Sequence, residues 1–175
     1  VDSSGVHGLS CRKSSGRQIR HSAVNGIIKR ALASAEVPAR LEPSSLSRDD
    51  GKRPDGMSLM PWKEGRCLIW DFTCADTLAQ SHLDRAVLRA ATVADDAEQR
   101  KRQKYVSLSA TYYFVPICIE TLGPMGEEAA AFFADVGQRI ATATGEPRSK
   151  TFLMQRLSIA VQQGNAACVL GTAFN

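Results

Sequence analysis

Arg66-Cys67-Leu68-Ile69-Trp70-Asp71-Phe72-Thr73 is apolar on both strand faces, the mark of a central β-strand buried on two sides. Just upstream, Arg53-Pro54-Asp55-Gly56-Met57-Ser58-Leu59-Met60 reads as a second strand, and Pro61-Trp62-Lys63-Glu64-Gly65 between them is turn-like. Pairing Pro61 with Gly65 puts Leu59 opposite Cys67, Met57 opposite Ile69 and Asp55 opposite Asp71. Strand parity places both acids at the ends of otherwise apolar rows. Opposed residues on one face have Cβ atoms roughly 4.5–5.5 Å apart, where like charges repel. Alone, Asp55 reads as a turn opener and Asp71 as a hydrogen-bonded strand-end acid. As a matched pair they read as ligands of a divalent cation.

The rest of the chain fits an α/β order of helix, strand, strand, strand, helix, strand, helix, helix, with a mixed sheet. His21 to Glu36 carries an apolar helical face through Val24, Ile27, Ile28, Ala31, Leu32 and Ala35. Residues 37–43 read as a short edge strand, because Pro38 and Pro43 exclude a central one. Residues 44–52 are a polar loop, 79–108 one long helix, and 111–121 a strand. Residues 126–143 read as a helix ended by Gly145-Glu146-Pro147, and a last helix spans about 149–163. Residues 1–20, rich in Ser, Gly and Arg, read as a flexible lead-in to a domain over 21–175.

The chain has 175 residues, 43% hydrophobic, enough for one compact domain. No run is long enough to span a membrane, and the amino terminus lacks a signal-peptide pattern. Beginning at Val1, it reads as a piece of a larger protein. Five widely spaced cysteines argue against a disulfide framework and for a reducing, intracellular compartment. Net charge is +4, and the first 30 residues hold Arg12, Lys13, Arg17, Arg20, Lys29 and Arg30 against Asp2 alone. Clustered cations point to a polyanion such as DNA. Arg53 and Arg156 are further candidate DNA contacts, the latter with Gln155, Gln162 and Gln163 on the last helix.

On the long helix, the apolar stripe Ala90, Ala94, Ala97 runs into Lys101 and Lys104, with Tyr105 one turn after Lys101. Two readings are open. The lysines snorkel to water at a helix end, or one reaches the paired acids. Two acids, a lysine and Mg²⁺ or Mn²⁺ make a phosphodiesterase set: the metal polarises the phosphate and activates water, and the lysine meets developing negative charge. Pro54-Asp55 followed by Asp71 fits a PD…(D/E)xK arrangement, except that Thr73 stands where the lysine belongs. Lys101 or Lys104 must then supply the cation. Glu42 reads first as a solvated edge residue, and as a possible third metal carboxylate if its strand borders the hairpin. Asp76 reads as a helix cap, Glu120 as structural, His21 as a surface residue, and Trp62 as packed.

These residues resemble the restriction-enzyme-like endonuclease at the carboxyl end of site-specific non-LTR retrotransposon polyproteins. The resemblance rests on Arg53-Pro54-Asp55, the gap to Asp71, and Lys101-Arg102-Gln103-Lys104-Tyr105, which is similar to that family's late Lys/Tyr motif. His7-Gly8-Leu9-Ser10-Cys11 is similar to the second half of the zinc knuckle that precedes such nucleases. With only His7 and Cys11 of a four-ligand site, zinc is not expected here. Gly56 departs from the aliphatic residue usual after Pro-Asp, and Thr73 fits the variant whose lysine has migrated. The resemblance implies a restriction-endonuclease-like core with a mixed four-stranded sheet, flanking helices and extra C-terminal helices. It further implies magnesium-dependent nicking of DNA in the nucleus, beside an upstream reverse transcriptase of the same polyprotein. An inactive DNA-binding or interaction module with the same fold is the alternative, and a purely structural assembly domain the third.

Overall fold

The computed structural model describes residues 6–11, 14–46 and 53–173. In chain order, the helices are α1 (Val6–Ser10), α2 (Gly16–Ser34), α3 (Leu83–Ala86), α4 (Thr92–Lys104), α5 (Glu127–Thr144) and α6 (Ser149–Ala173). The strands are β1 (Ala39–Leu41), β2 (Gly56–Lys63), β3 (Arg66–Ala75) and β4 (Tyr113–Glu120). They form one sheet in the order β1-β2-β3-β4. The first two pairings are antiparallel and β3 runs parallel to β4, so the sheet is mixed. The expected α/β order and the central place of β3 both appear. Pro116 fits in β4 because that strand has only one neighbour.

The sheet lies between two helical layers. Leu68, Trp70 and Phe72 face the main core, built with α2, α5 and α6. Alternate residues face α4, where Ile69 packs with Leu46, Tyr105 and Phe114, and Ala75 packs with Val93, Ala94 and Ala97. This alternation is why an all-apolar strand had to be central. The five cysteines are free, and no helix among the described residues is long and apolar enough to cross a membrane.

Four expectations need correction. First, the hairpin turn is the two residues Glu64-Gly65, at φ 52° and 70°, and Lys63 pairs with Arg66. A bulge lies between Met57 and Pro61, so Pro61, not Leu59, faces Cys67, and Leu59 is exposed. Ser58 holds the bulge: its Oγ accepts the Leu68 N–H (2.9 Å) and donates to the Met60 carbonyl (2.6 Å). Second, residues 79–108 are not one helix. A 3₁₀ turn, α3 and Ala91 at φ 70° precede α4, which starts where Glu120 Oε1 accepts the Ala94 N–H (3.2 Å).

Third, α6 continues through Gly164 and Asn165 to Ala173. Those residues serve packing rather than termination: a Cβ at position 164 would overlap the stem of Arg20, and Asn165 Nδ2 donates to the Thr121 carbonyl (2.7 Å). Fourth, much of the expected flexible lead-in is built into the fold. α1 lies on α6, and Gly16 begins α2 hard against the backbone of Ala167 and Cys168. His7 and Cys11 are one helical turn apart at α1, joined by a backbone hydrogen bond of 2.9 Å.

Candidate active site

β2 and β3 bring Asp55 and Asp71 to neighbouring places. Gly56 pairs with Trp70 and Met57 with Ile69, as the sequence register required, and the Asp55 N–H donates to the Trp70 carbonyl (2.9 Å). Gly56 is needed here because a Cβ would overlap the Trp70 indole, which explains its departure from the aliphatic pattern. Asp55 shares the parity of Met57, but its carboxylate turns toward the ladder. Asp55 Oδ2 accepts the Phe72 N–H at 2.6 Å, a position that β2 no longer supplies. The two acids are neighbours, but instead of sharing one face as expected they are engaged from opposite helical layers, Asp55 by His21 of α2 and Asp71 by Lys101 of α4.

Asp71 is buried on the α4 side, and Lys101 Nζ donates to its Oδ2 at 2.6 Å. Lys104 Nζ lies 3.6 Å from the same oxygen. The spacing of the lysines on α4, one turn apart, brings both to one carboxylate. Lys104 also donates to the Tyr105 hydroxyl (2.9 Å), which in turn donates to the Arg53 carbonyl (3.1 Å). Tyr105 is fully buried against Phe114. It ties the end of α4 to the segment that carries Asp55, so its position is that of a support for the site.

The residue that sequence reasoning missed is His21. It is half-buried in α2, with Nε2 3.1 Å from Asp55 Oδ2 and its ring beside Phe72. Asn25, one turn on, accepts the Trp70 indole N–H at 2.8 Å and so fixes α2 against β3. A signal was present: His21, Asn25, Ile28 and Leu32 fall on one helical stripe, so the two polar residues occupy buried positions. The hydrogen bond and charge of Asp55 hold the His21 imidazole above its usual value against the effect of burial, with Asp71 adding to the rise. Burial works against ionisation of Asp55. His21, the Phe72 amide and Lys101 outweigh it, so this carboxyl lies below its usual range. His21, Asp55, Asp71 and Lys101 thus share one electrostatic neighbourhood.

Other candidates lie apart. Glu42 is exposed and ion-paired with Arg53, which is the solvated edge arrangement rather than a third metal ligand. Arg20 is buried and bonded to Asn165 Oδ1 at 2.5 Å, so it lies off the open surface where an exposed cation was expected. Arg17 and Arg156 are exposed, and Arg12 and Lys13 lie outside the described residues. Trp62 packs, with Arg139 3.7 Å over its ring. Asp76 Oδ1 accepts the Leu78 N–H at 3.1 Å, capping a turn rather than a helix, and Glu120 is structural.

Asp55 and Asp71 are each engaged through a single carboxylate oxygen. Their Oδ2 atoms are engaged, while neither Oδ1 has a hydrogen-bond partner among the described residues. No three His, Cys, Asp or Glu side chains among the described residues group as a metal-binding set. One or two carboxylates plus water and substrate oxygens is the usual magnesium arrangement. No protein-family model matches this chain, and no curated protein matches it by sequence.

Proposed function

We infer that this chain is a metal-dependent DNA endonuclease domain of restriction-endonuclease-like type. The carrying observation is the contact between Lys101 on α4 and Asp71 on β3, beside Asp55 at the head of β2. It supplies from another element the cation that Thr73 does not. In this reading Asp55 and Asp71 hold Mg²⁺ or Mn²⁺ through their open oxygens. The metal would contribute Lewis-acid polarisation of a phosphate and a lowered pKa for bound water. Lys101 puts its ammonium where the attacked phosphate gathers negative charge, and Lys104, steadied by Tyr105, adds a second charge. His21 and the Phe72 amide orient Asp55. The resemblance to retrotransposon endonucleases extends the proposal to nicking of nuclear target DNA beside an upstream reverse transcriptase.

A second reading has its own observation. Lys101 already neutralises Asp71, and His21 already engages Asp55, so the acids are satisfied without a metal. That favours an inactive DNA-binding module. Melting curves with magnesium and with chelator separate the two. The nuclease reading expects magnesium to raise the parent's thermal midpoint by linkage. Asp71→Asn should lose that rise and lose nicking of supercoiled plasmid. Because Asp71 has a lysine partner, the metal-free variant should also be less stable than the parent. A parent indifferent to magnesium that nicks no DNA would leave the binding module standing.

A further inference from the structure

Beside the acid pair, on the α2 side, is a cavity of about 400 Å³. Arg17, Arg20, His21, Phe72, Thr73 and Cys74 are among its lining residues, none of which is acidic. It adjoins the candidate active site directly: His21 and the Phe72 N–H both contact Asp55, and both residues line the cavity.

Two arginines give the cavity its character. Arg20 is only 3% exposed, and its partner is the neutral side chain of Asn165. Among the described residues no carboxylate pairs with it. Buried guanidinium groups are ordinarily matched by an anion, since an unmatched buried charge is costly. The fold nonetheless makes room for this one, because Gly164 leaves space for its stem. With one N–H given to Asn165, the remaining donors of the five belong to a side chain that lines the cavity. Arg17 is exposed at the same cavity, and its guanidinium makes no hydrogen bond or ion pair with a described residue. Two guanidinium groups with no carboxylate partner among the described residues, in a concave site, fit a phosphate group by forked donation.

We propose that this cavity is a subsite for a backbone phosphate of the bound DNA strand, adjacent to the phosphate presented to Asp71 and Lys101. The strand assignment rests on the nuclease reading; the anion pocket does not. Arg17 and Arg20 grip the flanking phosphate and thereby fix the strand's register over the acids. In this role they are positioning residues.

The test is calorimetric titration, in magnesium, of thymidine 3′,5′-bisphosphate, thymidine 5′-monophosphate and inorganic phosphate. The bisphosphate should bind parent protein about tenfold tighter than the monophosphate, as one charge-assisted contact allows. Arg17→Ala, which removes an exposed side chain with no partner among the described residues, should abolish that advantage and leave monophosphate affinity unchanged. Arg20→Lys, which keeps the charge but not the fork, should reduce it. Equal affinity for bisphosphate and monophosphate, with monophosphate binding still dependent on Asp71, overturns the subsite and spares the nuclease reading. Binding that depends on Arg17 but not on Asp71 or Lys101 keeps the anion pocket and overturns the nuclease reading. Inorganic phosphate binding as tightly as the bisphosphate makes the cavity a free-anion site and overturns the strand assignment. No binding of any probe overturns both.

Discussion

Lys101 Nζ lies 2.6 Å from Asp71 Oδ2 although 30 residues separate them in the chain. The parallel crossover from β3 through α4 to β4 makes this possible, because α4 packs on the face to which Asp71 belongs. Lys101→Met keeps most of the stem and removes the charge. DNA nicking should fall by about 10²–10³-fold, the loss typical of a group that stabilises developing charge. Stability should fall by about 1–3 kcal/mol, less than for an orphaned buried acid, since Lys104 remains nearby. Plasmid nicking and urea unfolding measure the two effects. A variant that nicks at the parent rate removes Lys101 from catalysis.

The contact of His21 with Asp55 predicts a pH signature in the metal-free protein. The His21 pKa is raised, so its contribution is complete below about pH 6.5 and is lost as pH rises through the folded value. The Asp55 pKa is lowered, so its contribution is complete above about pH 3.8 and is lost as pH falls through the folded value. The parent should therefore exceed His21→Gln in stability most clearly between these limits, and the gap should narrow above neutrality. With His21 36% exposed, the gap is about 0.5–1 kcal/mol. A gap that widens with alkaline pH contradicts the pairing.

Glu98 has the sign opposite to that of Asp55. It is buried in α4, and its carboxylate accepts the N–H groups of Cys118, Glu128 and Ala129. Burial outweighs these donors and pushes its pKa up to about 7, from an ordinary 4.5. Between those values the folded state keeps a proton that the unfolded chain releases, so stability falls as pH rises through this window. Glu98→Gln cannot titrate there. Thermal midpoints at pH 5 and pH 8 should drop more for the parent than for the variant. Parallel pH profiles count against this assignment.

Gly56→Ala tests the packing beneath the acids. The added methyl group would overlap the Trp70 indole, whose N–H is committed to Asn25. Overpacking of this kind costs about 1–3 kcal/mol. Because Gly56 follows Asp55, nicking should fall with stability. An unchanged unfolding midpoint means that Trp70 can move aside, and the argument for glycine fails.

The strand period made β3 readable, and β3 fixed most of what followed. Its parity assigned Leu68, Trp70 and Phe72 to one face and Ile69 and Asp71 to the other. The stripe on α4 raised Lys101 and Lys104 as candidates but left open whether they turned to water or to the acids, and their contacts with Asp71 closed that choice. The bulge at Ser58 was less legible, because it depends on one hydroxyl choosing the Leu68 amide. Helix limits also escaped: the last helix was expected to end near residue 163 but runs on to Ala173, and the missing side chain of Gly164 is used to admit Arg20.

The sequence by itself determined the α/β order, the central strand and the neighbouring aspartates. Those features follow from local periodicity and from the fixed geometry of a strand pair, which a short stretch of chain contains. Only the tertiary structure decided that His21 engages Asp55, that Lys101 engages Asp71, and that Arg20 is buried against Asn165. Each joins α2 or α4 to residues far along the chain, and such contacts depend on how helices dock on a sheet. Docking is set by side-chain volume and burial summed over the whole core, which no local pattern records.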